Sequence, residues 1–268
     1  MNPFTLVRAV ANLGERVWRQ WDDLRHGTAV IGTVFCVSVQ PRYWARPVRA
    51  LFARQILAVG IEPLGFVCTV AAFVGISVVV QLAFWTGKAG QSQFLGPLLV
   101  AIVARELGPL LTNIIVIVRS SSAMATELGV LKITGEVERL EAEGNDPFLH
   151  LVLPRVLGVA VATFCLTIVF LVVAFASGYV FGAWLGTGSR DIWFFTNTVL
   201  NALHPRDIVS IVVKSILPAL VTSASCCIGG LGVGQSVTGI PDATQRALTR
   251  SIVGLFVISG TVSLLMYL

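Results

Sequence analysis

Arg105 and Glu106 stand side by side in a run, Phe94 to Val118, that is otherwise almost wholly apolar. The run can cross a bilayer, whose hydrocarbon core takes about 20 apolar helical residues. Charge at that depth is costly, so it faces a bundle interior or a wet cavity and marks a pathway. Neighbouring residues point about 100° apart on a helix, so the two are badly placed to neutralise each other. Each needs a partner from a second helix, from water or from a charged ligand. Gly96-Pro97 and Gly108-Pro109 bracket the pair, and a proline inside a helix leaves backbone groups that need new partners. Charge at a broken helix is how a transporter arranges a substrate site. The plainer alternative is two charges that snorkel or close a helix–helix contact.

No other residues assemble into a reactive constellation. His26, His150 and His204 are scattered, with no carboxylate or cysteine spacing beside them. Cys36, Cys68, Cys165, Cys226 and Cys227 lie in apolar surroundings at no metal-ligand spacing and read as small membrane-core residues. The segment Gly229 to Ser236 fits the phosphate-loop pattern G-x-x-x-x-G-K-S/T except that Gln235 replaces the lysine. That lysine reaches the phosphates, and the loop should follow a buried strand. Here it follows a membrane helix, so nucleotide binding is rejected. No catalytic residue, metal site or cofactor is expected in this chain.

The elements that must position the charged pair follow from composition. Of 268 residues, 55% are hydrophobic and 12% charged, and the mean hydropathy is +0.83. Soluble domains carry about 25% charged residues. The strand alternation of a membrane barrel is absent. The expectation is an all-α integral membrane protein with five transmembrane helices, at about 62–86, 94–118, 151–186, 207–231 and 248–268. Together they form a transmembrane domain over 59–268, preceded by an interfacial N-terminal segment over 1–58. The third run would be about 50 Å long at 1.5 Å per residue, so it must tilt, kink or project. It carries Ala174, Gly178, Gly182 and Gly186 every four residues, a spacing that lets helices approach closely.

Residues 1–25 place Leu6, Val10, Leu13, Val17, Trp21 and Leu24 at helical spacing among charges, an amphipathic helix that lies in the membrane interface or packs on a partner in the cytoplasm. The stretch 29–39 is apolar but too short to span, and Pro41 to Arg54 is basic and aromatic. The loop 119–150 contains a second amphipathic helix, about 132–144. Ile133, Val137 and Leu140 fall on one face, and Lys132, Glu136, Glu138, Arg139, Glu141 and Glu143 on the others. It reads either as a solvated loop helix or as a docking helix for a cytoplasmic partner. Eight arginines precede the first long apolar run, against Glu15, Asp22 and Asp23. Ahead of a membrane span the positive-inside rule accounts for them better than nucleic acid does. It places the N-terminus in the cytoplasm and Lys88, Arg190 and Arg206 outside. Charge alone leaves open a transporter driven by ions or protons, and a scaffold for soluble partners. Five spans with no duplicated half argue against an inverted-repeat transporter.

Between Arg105 and Arg155 the chain carries Glu106-Leu107-Gly108-Pro109, Ser122-Ala123, Glu127-Leu128-Gly129, Leu140, Asp146-Pro147 and Pro154-Arg155. Gln55 to Gly60, Gly75, Gln81 and Thr249-Arg250-Ser251 extend the pattern across most of the chain. It resembles the MlaE/YrbE permeases, the membrane subunits of MCE-type ABC transporters that move phospholipids or other lipids across the bacterial envelope. It departs from their pattern at Val118, at Gly135-Glu136 and at Ser259. The resemblance implies a homodimer that rocks around a central lipid cavity. Arg105 and Glu106 would line that cavity, together with Gln81 and Trp85 at the end of span one, and Val78, Leu82, Trp85 and Leu98 would suit acyl chains. It also implies that Ile133, Glu136, Val137, Arg139, Leu140 and Glu141 form a coupling helix seated on a separate ABC ATPase, which binds the ATP. A periplasmic MCE-domain protein would cap the outer face, and a small STAS-domain protein on the ATPase is a further partner. No long Ser/Arg-rich leader opens the sequence, so the expected location is the bacterial inner membrane rather than a chloroplast envelope.

Overall fold

The computed structural model describes residues 46–88, 90, 95–184, 192–234 and 237–267, together with Gly32. The amphipathic helix expected at 1–25 and nearly all of the stretch at 29–39 lie outside the described residues. The described chain is helical: α1 (Arg46–Ile61), α2 (Leu64–Lys88), α3 (Leu95–Ile133), α4 (Glu136–Ala142), α5 (Phe148–Trp184), α6 (Ile192–Ala202), α7 (Pro205–Leu231) and α8 (Gly239–Tyr267). Helices α2, α3, α5, α7 and α8 are each long and apolar enough to cross a membrane, so the all-α, five-span architecture holds.

Three boundaries differ from the sequence reading. The second span does not stop at Val118 but runs 39 residues to Ile133. Charge by itself does not end a helix, and 119–133 contains no proline and only one glycine, Gly129, which is packed against Val233 and Ile240. The stop comes at Gly135, whose φ of 76° is open to glycine and strained for other residues. The amphipathic helix expected over 132–144 is therefore the shorter α4, and Ile133 belongs to the end of α3. The last span begins at Gly239, not near 248: the helix gains about two turns, with Asp242, Gln245 and Arg246 exposed and Ile240 and Thr244 buried. A short helix, α6, lies between the third and fourth spans.

Helix α5 is the hub, packing against α1, α2, α3 and α7, with Phe170 and Ala174 wholly buried. Part of the small-residue stripe explains its contact with α2. A Cβ on Gly75 would sit 2.0 Å from the Ala174 carbonyl oxygen, and one on Gly178 would sit 2.3 Å from Val79. The backbones thus approach closely enough for the Ser177 hydroxyl to donate to the Ala72 carbonyl at 3.1 Å. Gly182 is also buried on this stripe, and Gly186 lies outside the described residues. Phe73, Val172, Val180, Val257 and Leu264 stand exposed on the outside of the bundle. Such a surface would drive association in water and is matched to acyl chains in a bilayer.

Candidate functional site

Because α3 is so long, Arg105 and Glu106 sit in its first third, about 15 Å from Leu95 at 1.5 Å per residue. The helix is irregular there. Residues Val100–Leu107 wind as a π-helix, with the Gly108 N–H donating back to the Val103 carbonyl, before α-helix resumes at Gly108-Pro109. A second π stretch covers Ile117–Ser121. Wide turns of this kind are frequent at functional sites, and here the first lies directly before a proline.

Both charges find partners on α7. Arg105 Nη2 lies 2.6 Å from Asp207 Oδ1, and Lys214 Nζ lies 2.6 Å from Glu106 Oε1. Asp207 and Lys214 are seven residues apart, two turns along one face of α7, which spaces them to meet neighbouring residues of α3. Asp207 is 2% exposed, and its second oxygen accepts the His204 N–H at 2.9 Å, tying off the start of α7. The Lys214 side chain is 1% exposed, whereas Glu106 is 38% and Arg105 30% exposed. From α8, the Ser263 hydroxyl donates to Glu106 Oε1 at 3.0 Å.

The prolines of α3 and α7 are sealed by each other's helices. Pro109 has no N–H to offer the Arg105 carbonyl four residues back; that carbonyl accepts Lys214 Nζ at 3.2 Å. Pro218 likewise has none for the Lys214 carbonyl, which accepts the Asn113 amide at 3.3 Å. Asn113 is buried and also donates to Pro109 O at 2.8 Å. The Glu-Leu-Gly-Pro motif thus supplies both a carboxylate for Lys214 and the bare carbonyl that holds it.

These groups line an open cleft of about 250 Å³ formed by Arg105, Glu106, His204, Arg206, Asp207, Ser210, Lys214, Ser263 and Met266. It lies near the start of α3, the start of α7 and the end of α8, three helix ends that share one side of the bundle. The sequence reading found Arg105 and Glu106 and missed the rest. Lys214 carried the same signal, a lone charge in the apolar run from Ile208 to Leu220. Asp207 did not, since an acidic residue in a first helical turn reads as an ordinary cap.

The remaining expected cavity residues are not at this cleft. Gln81, Trp85 and Leu98 are exposed on the bundle surface, and Val78 and Leu82 pack half-buried against the core. Of the expected coupling residues, Val137 is buried, Leu140 and Ile133 are half-buried, and Glu136, Arg139 and Glu141 are exposed. Lys132, at the end of α3, pairs with Glu138 of α4 across the Thr134-Gly135 break and holds its carboxyl below the usual carboxylate range. Two further motif residues meet across the bundle, Arg155 Nη2 lying 2.8 Å from Glu127 Oε1. Asp146 accepts the Phe148 N–H at 2.9 Å and so caps the start of α5, with Pro147 in the first-turn position that needs no donor.

Residues 52–265 match the family described as Permease MlaE. A probable ABC transporter permease protein of Synechocystis is 29% identical over 213 residues, covering 80% of each chain. The Haemophilus influenzae intermembrane phospholipid transport system permease protein MlaE is 24% identical over 202 residues, 75% of this chain and 77% of that one. The Arabidopsis thaliana chloroplastic protein trigalactosyldiacylglycerol 1 is 29% identical over 204 residues, which span 76% of this chain but 58% of the plant protein's length. With a match over most of its length and five membrane-length helices, this chain is a multi-pass membrane protein that belongs to the MlaE permease family.

Proposed function

We propose that this chain is the membrane subunit of an ATP-driven lipid transporter of the bacterial envelope, and that the charged cleft receives the headgroup. The cleft carries the reading: two carboxylates and three cations, partly open, inside a bundle whose outer surface is apolar. A phospholipid has that same division, with a charged head and apolar tails. The names of the Haemophilus and Synechocystis relatives support a phospholipid cargo and an ABC mechanism. The chain itself carries no catalytic role; a separate ABC ATPase binds ATP and docks on α4. Two copies pair around a shared cavity, where Gln81, Trp85, Val78, Leu82 and Leu98 would meet acyl chains. A periplasmic MCE-domain protein caps the outer face, and a STAS-domain protein joins the ATPase. The arginine-rich N-terminal segment places the N-terminus in the cytoplasm of an inner-membrane protein, which puts the cleft toward the outer face.

The test is lipid retention and transport by Arg105→Ala and Glu106→Ala in the full chain, together with identification of what co-purifies. Loss of retained lipid with the ATPase still bound supports the reading. Unchanged lipid retention and transport in both variants would overturn the role of the cleft. An ion-driven transporter or a scaffold would co-purify with neither an ATPase nor an MCE protein.

A further inference from the structure

We propose that Arg206 makes the cleft selective for lipids whose headgroup is net negative, a phosphodiester with no ammonium to balance it. The proposal rests on the lipid reading above and adds the headgroup class. The cleft is lined by the cations Arg105, Arg206 and Lys214 and by the carboxylates Glu106 and Asp207. With histidine counted as neutral at pH 7, one positive charge is in excess. The pairs Arg105–Asp207 and Lys214–Glu106 cancel internally. What remains is Arg206, exposed at the rim in the first turn of α7, with no ion pair among the described residues.

The carboxylates show the same bias from the other side. Glu106 Oε1 already receives Lys214, and the single Ser263 proton is shared between Glu106, at 3.0 and 3.3 Å from its two oxygens, and the Ser259 carbonyl at 2.9 Å. Asp207 is buried, with one oxygen on Arg105 and the other on the His204 N–H. An ammonium entering the cleft would meet three cations, and the one carboxylate open to it, Glu106, is already paired with Lys214, which is unfavourable for like charges at short range. A phosphodiester meets an unspent guanidinium, whose fork of donors matches two phosphate oxygens. At about 250 Å³ the cleft falls just below the usual range of about 300–1,000 Å³ for small-molecule pockets. It has room for a headgroup, and the tails must leave past Met266 at the rim.

The experiment is competition on the purified full chain. Micelles containing equal amounts of phosphatidylglycerol and phosphatidylethanolamine are exchanged with the protein, and retained lipid is counted by native mass spectrometry. The wild type should retain the anionic lipid over the zwitterionic one by about tenfold, the equivalent of 1.4 kcal/mol. Arg206→Gln should bring the ratio close to one by lowering the retained anionic lipid, and Arg206→Lys should keep most of it. Lys88→Gln, an exposed cation at the end of α2 outside the cleft, should leave the ratio alone. If Lys88→Gln lowers the ratio as far as Arg206→Gln does, the preference is general surface attraction and the proposal falls. It falls too if Arg206→Gln keeps the ratio, or if excess inorganic phosphate displaces the bound lipid, which would make this a free-anion site. Failure of the lipid reading looks different: retained lipid of both kinds would then be unaffected by Arg105→Ala and Glu106→Ala.

Discussion

Glu106→Ala should destabilise the protein chiefly by what it does to Lys214. The substitution removes a 2.6 Å charged hydrogen bond and the 3.0 Å bond from Ser263. It leaves an ammonium that is 1% exposed with, among the described residues, the Arg105 carbonyl as its remaining acceptor. Removing one partner of a fully buried ion pair costs about 3–5 kcal/mol. Water reaches the carboxylate end here, since Glu106 is 38% exposed, so the loss should be smaller, about 2 kcal/mol. Lys214→Met leaves a carboxylate that water and Ser263 still solvate, and strips the Arg105 carbonyl of its donor; about 1–2 kcal/mol is expected. The double variant Glu106→Ala/Lys214→Met removes both charges, so its loss should fall short of the sum by about 1–3 kcal/mol. The assay is thermal unfolding of the four proteins in one detergent at one scan rate, with about 2–4 °C in Tm per kcal/mol. If the single-variant losses add to within about 0.5 kcal/mol, Glu106 and Lys214 do not hold each other and the geometry argued above is wrong.

Three other outcomes test the scaffold. Asn113→Ala should cost about 1–2 kcal/mol, because it strips the donor from the carbonyl that Pro218 leaves bare. The same change made in a Pro218→Ala background, where a backbone N–H is restored, should cost visibly less in a melting experiment. Gly75→Ala would drive a Cβ to 2.0 Å from the Ala174 carbonyl, so a loss of about 1–3 kcal/mol or failure to accumulate is expected. Gly60→Ala, which meets nothing within 4 Å, should be neutral in the same expression and melting assays. The Lys132–Glu138 pair should depend on acid. Glu138 has its carboxyl held down by Lys132, so the contact is complete above the ordinary carboxylate range and is lost as pH falls through the lowered value. Corrected for the intrinsic exchange rate, protection of the α4 amides should fall in acid in the wild type, while Glu138→Gln should show little change in protection between neutral and acid pH.

Fold class and span number were legible because they depend on long-range composition: five apolar stretches survive errors of several residues at each end. Boundaries were not, because the eye stops a span at the first charges. Arg119, Glu127 and Lys132 ride on α3 without ending it, and only the glycine at 135 does so. The site was half legible. A charge in an apolar run is visible in one dimension, which found Arg105 and Glu106. Their partners lie more than 100 residues away in sequence, and no periodicity links the two runs. The proline gaps were visible as a need for donors, but which side chain would meet each need depends on the packing of α3 on α7.

Stability does not account for charges at this depth. A buried ion pair is commonly matched or bettered by apolar side chains of similar size, and α3 and α7 already pack through apolar neighbours such as Val103 and Ile211, both in the common core. The two pairs also occupy opposite ends of the exposure range within each couple: Asp207 and Lys214 are closed off, whereas Arg105 and Glu106 remain about a third exposed. The buried members keep the frame fixed on α7, and the half-exposed members on α3 present one cation and one anion to the cleft. An entering phosphate can therefore share Arg105 with Asp207 without stripping either pair. That sharing is available only where α3 is already loosened, and the π stretch at Val100–Leu107 with Pro109 behind it provides the loosened segment. The charges and the irregular turn thus form one device: Pro109 leaves the Arg105 carbonyl without its helical donor, Lys214 takes that place, and Lys214 in turn pairs with Glu106 at the cleft.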